Sequence, residues 1–465
     1  MDTYPLPQGQ PSIPDNVQLP PKWTLKEQCR VDDKFSSQSH LEEDTRPIPD
    51  SMTATLTENK RITPQNHWQD VRHISLTVFE SISYAPGDLV SILPKNFPSD
   101  VERLLHLMNW TGSADQPIMF IPYPGLQPNT SPPIPYLRSY PHLTLRILLT
   151  DYLDIRAIPR RSFFSNIAHY TDNVMHKERL LEFSNPENVD ELWDYTTRPR
   201  RSILEVLEEF ESVKIPWQHA ASIFPAMRGR QFSIASGGEL KQTAEGGTRI
   251  ELLIAIVKYR TVIKKIREGL CTRYFSILYP GSTIKIQLQK GGLNLSVKQL
   301  LGPTVLIGPG TGLAPLRAII WEKAALVKAY HEKHPGIAPQ IGTTILLFGG
   351  RNRAADYFFE DEWRQFAESI DLKVITAFSR DQRQKIYVQD KIREKRSVFL
   401  QLLHDQSGSV FVCGSSGLMP QAVREALVNC FQQSPDIDRT IYTRGEAERH
   451  LIDMEKVGRY KQETW

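Results

Sequence analysis

The chain has 465 residues, of which 40% are hydrophobic and 23% charged, as in ordinary globular proteins of two or three domains. Its 56 basic and 53 acidic residues leave a net charge of +3, which gives no case for a nucleic-acid or membrane partner. Cys29, Cys271, Cys413 and Cys430 are scattered without a CxxC pair, which argues against a disulfide framework and against a zinc or iron–sulfur site.

Residues 1–46 are rich in Pro, Gln, Asp and Ser and read as a linker or disordered tail, with no secretory signal. Within them Leu19–Leu25 is apolar enough to dock on a domain surface. From Ser51 the pattern changes to short alternating strands at 53–57, 73–79 and 88–93, the signature of a small antiparallel barrel. Residues 101–110 look helical, and the proline-dense 117–141 reads as an irregular loop. Helical segments follow at 143–153, 177–183 and 202–210, the last with Ser202 as N-cap and Glu205 completing a capping box. Strands resume at 230–236, 249–257 and 282–288. The expectation is a barrel domain over 47–302, interrupted by a helical insertion at about 100–225.

After Leu301 strands and helices alternate: 304–307 then 313–331, 343–348 then 356–369, 373–378 then 386–395, and 409–413 then 418–432. A last helix near 444–457 is expected to close the chain. This alternation predicts a doubly wound parallel α/β domain over 303–465, with ligands at the carboxyl ends of its strands. The fold class is therefore α/β plus a β-barrel.

The densest motif is Thr304–Ile320. A short buried strand runs into Gly308, Gly310, Thr311 and Gly312, and a helix starts at Leu313. Glycines let the backbone turn sharply, and free N–H groups at a helix start face an anion, so a diphosphate is the natural ligand. Such glycine strings are common, and alone they fit an ordinary strand-to-helix turn. The other strand ends add weight: Gly349–Asn352, Ser379–Asp381 and Cys413–Gly417 would meet at one crevice. A hydroxyl at Ser379 with cations at Arg380 and Lys385 suits a ribose 2′-phosphate, and Tyr387 could stack on adenine, which selects NADPH over NADH. Arg230-Gln-Phe-Ser233 could hold a diphosphate and cover a flat heterocycle, and Gly269-Leu-Cys-Thr272 could give a second phosphate contact. Taken singly, each of these fits a solvated surface or a plain barrel strand.

Taken in order, Arg230–Ser236, Gly269–Thr272, Ile307–Arg317, Leu347–Trp363, Ala377–Gln389, Val412–Met419 and Glu463–Trp465 resemble the reductase half of the diflavin oxidoreductases, nearest their cytosolic iron–sulfur-assembly branch. The resemblance implies a ferredoxin–NADP reductase-like FAD barrel with a helical connecting insertion, then an NADPH domain. It implies FAD contacts from Arg200, Arg230, Gln231, Phe232, Ser233, Gly269, Leu270, Cys271, Thr272 and Trp465. NADPH contacts would come from Gly308, Gly310, Thr311, Gly312, Ser379, Arg380, Lys385, Ile386, Tyr387, Val388 and Gln389. Ser233, Cys413, Glu463 and Trp465 would surround the hydride path, with no metal. Many relatives have tyrosine where Phe232 stands, so one hydroxyl is absent.

The resemblance further implies an anamorsin-type Fe–S protein as partner, an FMN domain that the first 50 residues do not supply, and a cytoplasmic location with association to mitochondria left open. The chain therefore reads as a truncated product or a piece of a longer protein. Two alternatives stand beside an NADPH-dependent FAD oxidoreductase: a stand-alone ferredoxin–NADP reductase-like enzyme, and a catalytically silent module that binds nucleotide or a partner.

Overall fold

In the computed structural model, residues 22–28, 44–123, 131–138, 140–432 and 442–465 are described. Cys29 and the start of the Leu19–Leu25 segment lie outside them. The chain divides into two compact units, one of Met1–Ser36, Pro94–Arg228 and Tyr259–Leu270, the other of Ser37–Leu93, Gly229–Lys258 and Cys271–Trp465.

The second unit contains both sheets of interest. Its barrel strands are β1 (Met52–Arg61), β2 (Val71–Val78), β3 (Leu89–Ile92), β4 (Arg230–Ser233), β5 (Thr248–Ala255) and β6 (Thr283–Gln289), in the antiparallel order β4-β3-β6-β1-β2-β5. The two edges meet through a bridge between Ile234 and Leu252 and an Ala235 N–H to Glu251 carbonyl bond of 2.7 Å, so little edge is left exposed. Alternating residues such as Leu56, Ile74, Leu76, Val90 and Ile250 fill the interior.

The nucleotide-type sheet comprises β7 (Thr304–Pro309), β8 (Thr344–Gly350), β9 (Leu372–Phe378), β10 (Ser409–Gly414) and β11 (Tyr460–Thr464), all parallel, in the order β9-β8-β7-β10-β11. Both faces are covered, which explains why these strands read as unbroken apolar runs. Val305, Ile307, Val410 and Val412 pack into one core, and Leu306, Phe348 and Phe411 into the other. The order reverses at β7, so the crevice beside its carboxyl end is the topological switch point.

The fifth strand corrects the expectation that a helix closes the chain. Arg444–Lys456 is a helix, but Tyr460–Thr464 follows it and pairs with β10, aligning Glu463 with Cys413.

The first unit is mainly helical. It includes Pro98–Leu107, Arg161–Ile167, Val174–Ser184 and Ile203–Glu209, the last started by the capping box of Ser202 and Glu205. Trp23–Glu27 and Ile118–Pro122 form an antiparallel pair, with Trp23 and Leu25 buried. This corrects the reading of 117–141 as wholly irregular, and it gives part of 1–46 a fixed place. The second unit does the same at Asp44 and Arg46, a buried ion pair of 2.7 Å.

Candidate active site

The glycine turn leads from β7 into a 21-residue helix, α1 (Leu313–Lys333). Gly310 has φ of +59°, a conformation that side-chain-bearing residues rarely adopt. A Cβ on Gly312 would stand 2.2 Å from the Cys413 carbonyl oxygen, so the turn can lie against the end of β10 only with glycine there. The helix start has no side-chain cap, although the Leu313 N–H already bonds back to the Gly310 carbonyl and Pro315 carries no N–H.

A cleft of about 780 Å³ opens at this point. Gly310 and Thr311 line it from the turn, Gly349, Gly350 and Arg351 from the end of β8, and Ser379 from the end of β9. Tyr387, Val388 and Gln389 line it around the start of the helix Val388–Glu394, and Trp465 at the chain end. Gly308 and Gly312 are buried beneath the turn, and Ile386 packs against the core. Arg380 and Lys385 are exposed and do not line the cleft. Arg380 is held near it by its N–H bond of 2.8 Å to the Arg351 carbonyl. Volume, glycine turn and uncapped helix start together fit a dinucleotide.

Where β10 and β11 end, three predicted side chains converge. Cys413 and Glu463 are register partners, and Ser233 Oγ donates to Glu463 Oε1 at 2.6 Å. Glu463 Oε2 is buried with no hydrogen-bond partner, a polar atom waiting for one. Burial pushes the Glu463 carboxyl up, the Ser233 hydrogen bond opposes this, and the Asp88 charge adds to the rise. Burial, with the Glu463 charge behind it, pushes the Cys413 thiol well up, so it stays protonated. Trp465 is 52% exposed, yet its backbone is fixed: its N–H bonds the Gly414 carbonyl at 3.0 Å and its carbonyl accepts from Ser416 N–H at 2.9 Å.

The other predicted barrel residues lie on β4 and around the start of the helix Leu270–Ile277. Phe232 meets Phe275 edge-on at 5.8 Å beside the barrel core, and Gln231 donates to Gln289 at 2.6 Å. Arg230 is half-buried, on the same strand as Ser233. Cys271 is buried, its thiol pushed up to about 12 by burial against the opposing charge of Arg230. Thr272 Oγ1 accepts from Val257 N–H at 3.1 Å. Leu270 begins the helix Leu270–Ile277, directly after Gly269. Arg200 is exposed in the first unit with φ of 52°, an uncommon backbone state for arginine.

Sequence reasoning missed Trp68 and Gln69, in the loop between β1 and β2; Arg351 and Ser415 lie in strand-end segments that it placed at the crevice without singling them out, and all four line the cleft. Trp68 carries no local signal, because only the fold brings that loop to the nucleotide sheet.

Two families match the chain, an FAD binding domain over residues 48–274 and an oxidoreductase NAD-binding domain over 306–424. A flavin barrel followed by a nicotinamide-nucleotide sheet defines the class: a flavoprotein oxidoreductase that uses FAD and NADPH. Proteins named NADPH-dependent diflavin oxidoreductase 1 are 63% identical in Emericella nidulans and 62% in Aspergillus fumigatus, each over 100% of this chain and 74% of the relative. The protein of that name in Danio rerio is 32% identical over the same shares. The chain belongs to the NADPH-dependent diflavin oxidoreductase 1 family, and it spans about three-quarters of the length of these relatives.

Proposed function

We propose that this chain takes hydride from NADPH at the meeting point of Ser233, Cys413 and Glu463, and passes the electrons on singly to an Fe–S protein of the anamorsin type by way of an FMN domain. The observation that carries the hydride step is the convergence of a barrel strand and two sheet strands on one polar cluster, 2.6 Å across at its closest. Bound FAD supplies the two-electron acceptor. Arg230, with the helix start after Gly269, would hold the flavin nucleotide, and the glycine turn with Thr311 would hold the NADPH diphosphate. Ser233 fixes the Glu463 carboxyl by donating to it. Once ionised, that carboxylate stabilises the positive charge that the nicotinamide ring gains as hydride leaves. Cys413, a buried neutral thiol, packs beside this path without adding charge. Trp465 borders the cleft on a fixed backbone with a largely open ring, which suits a movable cover for the redox centre.

The three cysteines among the described residues are free and buried, which supports a reducing compartment, the cytosol. Association with mitochondria and the role in iron–sulfur assembly rest on the family resemblance.

Stopped-flow bleaching of the FAD-loaded chain by anaerobic NADPH tests the hydride step. Ser233→Ala should bind FAD and slow bleaching by roughly tenfold to a hundredfold. An unchanged rate with full FAD content would remove Ser233 from the mechanism.

A further inference from the structure

The loop between β1 and β2 is held by its own hydrogen bonds. The Arg61 guanidinium donates to the carbonyl oxygens of Thr63, Pro64 and His67 at 3.1, 2.8 and 3.0 Å. Thr63 Oγ1 donates to the Gln69 carbonyl at 2.8 Å and accepts from Val71 N–H at 3.1 Å. The result is a short rigid strap with His67 and Trp68 at its tip.

Both residues reach the nucleotide sheet. His67 Nε2 lies 2.9 Å from Asp356 Oδ1, a close polar contact that is not aligned as a hydrogen bond. The other Asp356 oxygen accepts the N–H groups of Arg351 and Asn352 at 2.8 and 2.9 Å, which fixes the turn after β8. The Arg351 guanidinium lies over the Trp68 ring, 3.6 Å from its centre, and both side chains line the cleft.

Arg351 is also the neighbour of Arg380. No carboxylate pairs with either guanidinium among the described residues. Burial, and then the charge of Arg380, lowers the proton affinity of Arg351 below the usual arginine value, while the nearby Asp356 carboxylate opposes this without pairing to the guanidinium as a counter-ion. A phosphate dianion would supply one. A solvated arginine has many rotamers, and an aromatic face under its guanidinium removes most of them before a ligand arrives.

We propose that Trp68 is a specificity-determining positioning residue: by holding Arg351 against its ring, it keeps a second cation beside Arg380 for the 2′-phosphate of NADPH. This rests on the reading of Ser379 and Arg380 as the 2′-phosphate site. The barrel thereby takes part in nucleotide selection through a loop that carries no phosphate-binding motif.

The test uses the FAD-loaded chain with NADPH, NADH, 2′,5′-ADP and 5′-AMP. Trp68→Ala should raise KM for NADPH about five- to tenfold, with a much smaller change for NADH. Calorimetry should show 2′,5′-ADP binding weakened by a similar factor and 5′-AMP binding nearly constant. Trp68→Phe, which keeps an aromatic face, should recover most of the loss. Arg351→Ala should reproduce the selective loss, and adding Trp68→Ala to it should cost little more, because the two act as one unit. Equal losses for both nucleotides, unaltered 2′,5′-ADP binding, or additive losses would overturn the proposal. Arg380→Ala separates the two failures. If it is selective and Trp68→Ala is not, only the role of Trp68 falls; if it is unselective, the 2′-phosphate reading falls with it.

Discussion

At the scale of single residues, two side chains carry sharp expectations. Arg380 is exposed on the rim of the cleft, tied by its backbone to Arg351. A charged hydrogen bond to the 2′-phosphate would be lost in Arg380→Ala, raising KM for NADPH far more than for NADH, by about 1.5–3 kcal/mol in binding terms. Steady-state kinetics with both nucleotides checks this, and equal effects would remove the assignment. Glu463 has a pH signature. Its carboxyl is held above the ordinary 4.5 by burial, so it keeps its proton to higher pH than a free carboxyl. Because the ionised form is the one that stabilises a cationic nicotinamide, the bleaching rate should rise as pH increases through that raised value. Glu463→Gln should flatten the rise and slow the plateau; a profile unchanged in the variant would exclude Glu463 as its source.

At the scale of elements, barrel and sheet are joined by a buried charge cluster. Arg317 on α1 is 3% exposed. It donates twice to Glu362, at 2.8 and 2.7 Å, and to Glu251 on β5 at 2.6 Å, while His73 on β2 meets the same Glu251 oxygen at 3.1 Å. Burial alone would raise the Glu251 carboxyl, but the His73 hydrogen bond and the Arg317 charge bring it down to about 2. Removing the cation strands two carboxylates, so Arg317→Met should destabilise the fold by roughly 3–5 kcal/mol in denaturant melts. The depressed Glu251 contributes stability that is complete above its unfolded value of 4.5 and is lost as pH falls toward 2. Acid unfolding of Glu251→Gln should lack that component. None of this network was legible beforehand, since its members stand far apart in sequence and each is an ordinary charged residue alone. What was legible has a local cause: the Ser202–Glu205 capping box, the glycine turn, and the apolar runs of the parallel strands. Two of the strands that were missed, Ile118–Pro122 and Tyr460–Thr464, have the opposite character. One lies in a proline-dense stretch and pairs with distant Trp23–Glu27, and the other, YKQET, is a polar edge strand whose pairing with β10 no local pattern encodes. The second miss concealed why Glu463 and Trp465 sit at the site. Their roles came from resemblance, and the register with Cys413 supplies the physical reason for their position.

At the scale of the whole molecule, the question is where the electrons go after the flavin. Among the described residues there is one parallel sheet, and the glycine turn and cleft commit it to the dinucleotide. A flavodoxin-like FMN domain needs a doubly wound parallel sheet of its own. The described residues therefore supply the hydride-accepting half of the proposed path and no second flavin fold. A small anionic acceptor such as ferricyanide can approach any exposed edge of a redox centre, whereas an Fe–S protein must dock with its cluster close to a one-electron donor. The FAD-loaded chain should accordingly reduce ferricyanide at the expense of NADPH at a rate set by hydride transfer, and so share the Ser233→Ala defect. Reduction of an anamorsin-type Fe–S protein should be slow with this chain alone and should accelerate when a separately produced flavodoxin-like FMN domain is added. Rapid Fe–S reduction without that domain would break the proposed sequence and move the direct, ferredoxin-reductase-like route to first place, because electrons would then be leaving the FAD barrel without an intermediary.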